Sequence, residues 1–305
     1  MKGVGRLQNF LAQSLGQSLT VELMQNLAGR VIPDYDLHRQ SGFPPQIPIS
    51  QRDAAQVIAR DMMRKGQVLR FAEVLIEVER NGIMGRSVAL RFLPRLIEAI
   101  EDLGYVFKEE YGQFVEGGEG ARTRGWGVLQ KGSTYEFSFL RMDIAGNTEL
   151  VRKYPRTEVL RAYGDLRKLL SAIVERRDGR IWHWEGDGGI AAFLFGAKNV
   201  QAVLAGMEML LELFMYNLLH CSFAGDLHVR LAVHTGPCQF LATFKEIRSD
   251  TLRRLETLEG RFAATDSLIL SPGVYSDLGT KLESFFRPVA GADRQMLYQY
   301  SLGWE

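Results

Sequence analysis

The chain has 305 residues, with hydrophobic residues at 46%, charged residues at 24%, 31 Gly and 9 Pro. This composition fits a globular protein long enough for two domains, and it excludes collagen-like, disordered and disulfide-stapled chains. Lys and Arg number 37 against 36 Asp and Glu, so a formal charge of +1 offers no basic face to a nucleic acid backbone.

The start, MKGVGRLQNF, lacks the apolar core of a signal peptide, and Cys221 and Cys238 are too few for a disulfide framework and lack metal-ligand spacing. Both features point to the cytoplasm. Thr20 to Val31 reads as a short helix, and Arg39 to Ile49 (RQSGFPPQIPI) reads as a connector because of its three prolines. Ser50 with Asp53 three residues later forms a variant capping box. The apolar spacing after it predicts two helices broken near Gly66, and another is expected over Arg86 to Leu103, ending at Gly104. Residues 1–115 are therefore expected to be an all-α domain, a regulatory or docking module or a plain structural cap. They hold no cluster of His, Cys or paired carboxylates at a chemically suggestive spacing.

Glu116 to Gly127 (EGGEGARTRGWG) carries five glycines and marks the change from helical to strand patterning, so residues 116–132 are assigned to a Gly-rich linker. The second domain, 133–305, opens with a strand over Tyr135 to Ile144 and continues with the turn AGNT and a helix from about Glu149 to Arg176. A hairpin follows, Arg180 to Trp184 and Ile190 to Phe195 joined by EGDGG. Ala202 to Leu219 is apolar enough to suggest a membrane span, but Glu208 and Glu212, four apart, place two carboxylates on one face of an amphipathic core helix. The rest is a strand at Leu227 to His234, a helix at Thr251 to Ala264 and a short strand at Ser267 to Leu270. This order describes an α+β arrangement with helices packed on one sheet.

Asp143 ends one strand and Asp187 sits in the hairpin turn. If the strands are neighbours, the two carboxylates converge at one edge of the sheet and form a pair suited to Mg²⁺ or Mn²⁺ with phosphates completing the shell. Gly186, Gly188 and Gly189 permit a sharp turn and close phosphate approach, and Gly146, Asn147 and Thr148 open a helix with free amides. Equally, Asp143 can be a strand-end cap and Asp187 a turn former.

FLRMDIAGNTEL (Phe139 to Leu150) resembles the metal-binding first strand of class III nucleotide cyclases, and RIWHWEGDGGIAAF (Arg180 to Phe193) resembles their second metal motif. VRLAVHTGPC (Val229 to Cys238) is similar to the family strand that runs into a His-Thr-Gly turn, and the three motifs stand in the family's order over about Tyr135 to Leu278. The resemblance implies a ferredoxin-like βαββαβ core and a homodimer with active sites at the subunit interface. It also implies conversion of a nucleoside triphosphate to a 3′,5′-cyclic monophosphate and pyrophosphate. In that scheme two ions, Mg²⁺ or Mn²⁺, rest on Asp143, Asp187 and the carbonyl of Ile144, and Gly146, Asn147 and Thr148 hold phosphate. Arg254 stabilises the transition state, Asp250 takes the place of the ribose-orienting asparagine, and His183 takes the base-reading position. No membrane or nucleic acid partner is expected. Asn147 replaces the family's phenylalanine, the connection from His234 to Asp250 is short, and FLATFKEIRS offers no second base-selecting residue. These departures leave open a degenerate domain that binds a nucleotide or a protein partner without turnover.

Overall fold

The computed structural model describes residues 2–83, 85–117, 123–221, 223–291 and 295–302. The chain divides into two compact units, Met1–Arg122 and Thr123–Glu305. The first contains α1 (Lys2–Gly16), α2 (Val21–Val31), α3 (Leu37–Ser41), α4 (Gln51–Arg64), α5 (Val68–Asn81) and α6 (Leu93–Glu101). A hairpin of β1 (Tyr105–Lys108) and β2 (Gln113–Glu116) follows. Ser50 caps α4 as the spacing predicts, its hydroxyl accepting from the Asp53 amide at 3.1 Å and donating to the Asp53 carboxylate at 2.6 Å. The helix expected from Arg86 starts only at Leu93, because Pro94 is tolerated in a first turn and not deeper. The all-α expectation also missed α1 and the hairpin, whose Phe114 is fully buried in the helical core.

The second unit runs β3 (Thr134–Ile144), α7 (Asn147–Lys153), α8 (Arg156–Arg176), β4 (Arg180–Glu185), β5 (Gly188–Phe193) and α9 (Lys198–Leu219). It continues with β6 (Val229–Gln239), α10 (Asp250–Phe262), β7 (Ser267–Leu270), α11 (Pro272–Tyr275), α12 (Thr280–Glu283), β8 (Arg287–Ala290) and β9 (Met296–Ser301). Pro155 divides the helix expected over 149–176 into α7 and α8.

The sheet has seven strands in the order β4-β5-β3-β6-β7-β9-β8. Each of its first four strands is antiparallel to its neighbour, with β3 between β5 and β6. With α8 joining β3 to β4 and α9 joining β5 to β6, this is the ferredoxin-like βαββαβ arrangement. Helix α10 then crosses over to make β7 parallel to β6.

Both faces of the sheet are covered. Leu140, Met142 and Ile144 pack with Leu166 and Leu170 of α8 and Met209 and Leu213 of α9. Phe137 and Phe139 turn the other way, onto Trp182 and onto Leu255 and Leu258 of α10. A strand covered on both sides is buried at consecutive positions, and Phe137, Ser138, Phe139 and Leu140 are all fully buried. Only at its carboxyl end does β3 place Arg141 and Asp143 on the α10 face, where the cover is thinner.

Helix α9 meets the length and composition of a membrane span with 44% of its apolar window buried, and it packs in this core through Ala202, Met209 and Leu213. Its outer face leaves Leu211, Met215, Leu218 and Leu219 exposed.

The division between units falls inside the predicted linker, and its last part is not connecting chain. Trp126 is fully buried, stacks on Phe137 at 6.3 Å and donates its indole N–H to the Asp178 carbonyl at 2.6 Å. Arg124 donates to the carbonyls of Trp182 and Leu241 at 3.3 and 3.2 Å. The glycines flanking Trp126 disguise a core residue as linker. Trp126→Ala is expected to destabilise the second unit by ~3–5 kcal/mol, the usual cost of emptying an aromatic core position, read as a lower midpoint in urea unfolding. A tryptophan in a free linker would leave that midpoint unchanged.

Candidate active site

The β4–β5 turn is a two-residue connection, Gly186 and Asp187, since Glu185 pairs with Gly188. Of the three glycines around Asp187, only Gly186 takes a positive φ, 58°. Gly188 and Gly189 lie in β5 and matter through close approach. A Cβ on Gly188 would stand 2.6 Å from the Met142 carbonyl oxygen and 2.9 Å from Asp143 Oδ1. Hydrogen lets β5 lie against the end of β3, which brings the turn beside Asp143.

Asp143, Ile144, Gly146, Asn147, Thr148, Glu149, Asp187 and Arg230 line one cleft of about 400 Å³. The two predicted carboxylates therefore share a cavity, together with the three residues expected at phosphate. Burial pushes the Asp187 carboxyl above the usual carboxylate range and the charge of Asp143 raises it further, against hydrogen bonds from its own backbone and from Asn147. Two carboxylates in one partly buried cleft make a place that favours a cation. Among the described residues no group of three or more His, Cys, Asp and Glu is placed to share a metal. A pair is nevertheless enough for Mg²⁺, which keeps water or phosphate in the rest of its shell. The donor set, hard carboxylate oxygens beside a backbone carbonyl and free helix-start amides, fits such an ion.

The Asn147 side chain serves the protein itself. It hydrogen-bonds Asp187 and accepts from the Tyr163 hydroxyl, so it holds the turn against α8. Gly146, with φ 72°, precedes α7, and no side chain caps that helix.

The other predicted residues do not join this cleft. His183 stacks on Phe244, with ring centroids 4.5 Å apart and an interplanar angle of 6°, and its Nε2 lies 3.1 Å from the Glu185 carboxylate. Asp250 starts α10 and pairs with Arg253. Arg254 donates to Gln295. None of the three lines the cavity that holds Asp143 and Asp187.

Sequence reasoning missed the groups that surround Asp143. Arg230 stands directly opposite it in the β3–β6 register and donates to its Oδ2 at 2.8 Å. Arg230 also lies 3.0 Å from Glu259 of α10, a carboxylate only 3% exposed, and Arg141 donates to the same carboxylate at 3.0 Å. Burial pushes the Glu259 carboxyl up, while the bond from Arg141 and the charge of Arg230 oppose that. Arg230 was visible within the third motif, but only the strand register shows what it faces.

His234, read from the sequence as a strand-end residue without an acid–base partner, lies within β6, with its Nδ1 2.9 Å from the Ser271 hydroxyl. Burial, reinforced by the charge of Arg254, pushes its imidazole down to about 4.

No protein-family model matches the chain, and no curated protein is significantly similar to it in sequence. Among solved structures it is similar to the guanylyl cyclase Cya2, at 16% identity with a TM-score of 0.49 over 57% of this chain and 96% of that one. It is also similar to the adenylyl cyclase CyaB from P. aeruginosa, at 18% identity and a TM-score of 0.47 over 56% of this chain and 96% of that one. The guanylate cyclase domain of RhGC from Catenaria anguillulae, solved in complex with GTP, gives 14% identity and a TM-score of 0.48 over 55% and 97%.

The His234 environment sets a pH dependence. The imidazole titrates near 6.5 when unfolded and at about 4 when folded, so between those values the unfolded chain binds a proton that the folded one does not. Its contribution is complete above pH 6.5 and is lost as pH falls towards 4, with a slope of up to ~1.4 kcal/mol per pH unit. The difference in unfolding free energy between the protein and His234→Gln, followed from pH 7 to 4.5, should carry that slope. A pH-independent difference would contradict it.

Proposed function

We propose that the second unit is a metal-dependent nucleotide cyclase, converting a nucleoside triphosphate to a 3′,5′-cyclic monophosphate and pyrophosphate. The observation that carries this reading is the cleft that Asp143 and Asp187 share beside the start of α7. It stands in a ferredoxin-like core at the positions where the three motifs resemble class III cyclases. Asp143, Asp187 and the Ile144 carbonyl would hold the ions, either Mg²⁺ or Mn²⁺. When bound, such ions supply positive charge that lowers the pKa of the ribose 3′-hydroxyl and steadies the leaving pyrophosphate. The backbone of Gly146, Asn147 and Thr148 is offered to the phosphates, with Tyr163 and Asn147 fixing the Asp187 turn.

In the balanced reaction the 3′-oxygen forms a bond to the α-phosphorus, the bond from that phosphorus to the pyrophosphate oxygen breaks, and the hydroxyl proton is released. Arg254 does not line the cleft of its own subunit, which favours a homodimer in which each cleft receives Arg254, Asp250 and His183 from the opposite chain. In this proposal residues 1–115 form a regulatory or docking domain of a cytoplasmic enzyme.

The second reading, a nucleotide-binding or protein-interaction domain without turnover, is favoured by one observation. Asp250, standing where the family has asparagine, is paired with Arg253.

Incubation with each of the four nucleoside triphosphates and Mn²⁺, followed by mass spectrometry, should yield a cyclic monophosphate from at least one. Asp143→Asn, Asp187→Asn and Arg254→Ala should each lower the rate by ~100-fold or more, the scale of losing one charge-stabilising group at a reacting phosphate. Metal-dependent binding of intact nucleotide without product would establish the second reading in its place.

A further inference from the structure

Around the cleft, four charged side chains form a line. Arg141 donates to one oxygen of Glu259, Glu259 faces Arg230 across 3.0 Å, and Arg230 donates to Asp143. The two carboxylates differ in exposure: the Glu259 side chain is 3% exposed, whereas the Asp143 side chain is 22% exposed and opens into the cleft. Arg230 therefore has two carboxylate neighbours, one enclosed by α10 and the sheet, the other at the cavity.

The enclosed contact is incomplete. Arg230 Nε and Glu259 Oε1 are both buried and lie 3.0 Å apart, yet neither makes a hydrogen bond, so the approach is close and the alignment poor. Two buried polar atoms left in that state carry an unmet desolvation cost that a small rotation of the guanidinium would remove. The exposed contact, by contrast, is well formed at 2.8 Å but uses Oδ2 of the carboxylate that a cation would need. A divalent ion and a guanidinium on one small carboxylate repel each other.

We propose that Arg230 is a transferable counterion and Glu259 its positioning residue: when a divalent cation enters the cleft, Arg230 leaves Asp143 and closes its hydrogen bond to Glu259. This inference rests on the reading of the cleft as a cation site and adds to it how the empty site is kept neutral. Without a cation, Arg230 screens Asp143 from Asp187. With one, Glu259 gives the displaced guanidinium a buried partner that already lies within reach, and Arg141 holds Glu259 in place from the other side.

The test is a titration of the full chain with Mn²⁺ alone, followed by the loss of the free-ion electron paramagnetic resonance signal, in four proteins: unaltered, Arg230→Gln, Glu259→Gln and the double variant. Arg230→Gln removes the competitor for Asp143 and should tighten Mn²⁺ binding about fivefold. Glu259→Gln removes the destination and should weaken it about fivefold. In the double variant the effect of Glu259→Gln should vanish, because no guanidinium remains to be relocated; a merely structural role of Glu259 would persist there. Circular dichroism confirms that each variant is folded. Should Glu259→Gln not fold, the direction of the Arg230→Gln effect decides alone, since a guanidinium that only supports Asp143 predicts weaker binding. Mn²⁺ binding by the unaltered protein with no opposed effects of the two variants overturns the transfer and leaves the cation site standing. No Mn²⁺ binding by the unaltered protein overturns both.

Discussion

The antiparallel pairing of β3 with β6 is the constraint on which the rest of the second unit depends. Side chains alternate across a strand, so the register that places Asp143 opposite Arg230 also decides which residues reach each helical layer. A slip of one residue would turn Asp143 towards α8 and α9 and would bury its carboxylate among leucines. Leu140, Met142 and Ile144 on one face and Phe137 and Phe139 on the other resist that slip, because each set fills a different core. The charged cleft is thus held in place by apolar packing a few residues away on the same strand.

That packing also explains why the cleft lies where it does. Along the middle of β3 both faces are sealed, and a carboxylate there would have no water and no partner. Towards Ile144 the cover on the α10 face thins, and polar side chains from β3, the β4–β5 turn, β6 and α10 meet under partial burial. Burial makes every charge in this group expensive unless it is matched, and the groups alternate accordingly: Arg141, Glu259, Arg230, Asp143. Asp187 approaches from the hairpin turn, where burial first and the charge of Asp143 second push its carboxyl up, against the charge of Arg141 and its hydrogen bonds. Gly188 completes the geometry by leaving out the one atom that would push the hairpin away from Asp143.

Each unit has its own hydrophobic core. The helical unit is built on capped amphipathic helices, with Asp61, fully buried on α4, accepting from the Tyr35 hydroxyl at 2.9 Å and neighboured by Arg64 at 3.2 Å. The second unit recruits chain from Thr123 onward: Trp126 enters the aromatic group of Phe137 and Phe195, and Arg124 ties the loop after β6 to β4. The apolar face of α9 turned outward from this core remains the largest set of exposed aliphatic side chains on a single described helix.

Local chemistry decided much of the protein. Capping residues, proline positions and apolar periodicity mark α2, α4, α5, α9, α10, β3 to β7 and the β4–β5 hairpin, whose expected five-residue turn EGDGG shortens to two because Glu185 pairs with Gly188. Local pattern also put Asp143 at a strand end and Asp187 in a turn, while the pairing of β3 with β5 decided that the two share a cleft. What needed the tertiary structure depends on residues far apart in the chain. Arg230 is 87 positions from Asp143 and Glu259 is 118 from Arg141, so their pairing follows only from strand order, register and the seating of α10. Trp126 was hidden among glycines because burial is a property of what packs around a residue. Arg254, His183 and Asp250 carry side chains suited to their expected roles, yet the fold gives them other partners within the subunit, because side-chain type sets what a residue can bind while the packing sets what lies within its reach.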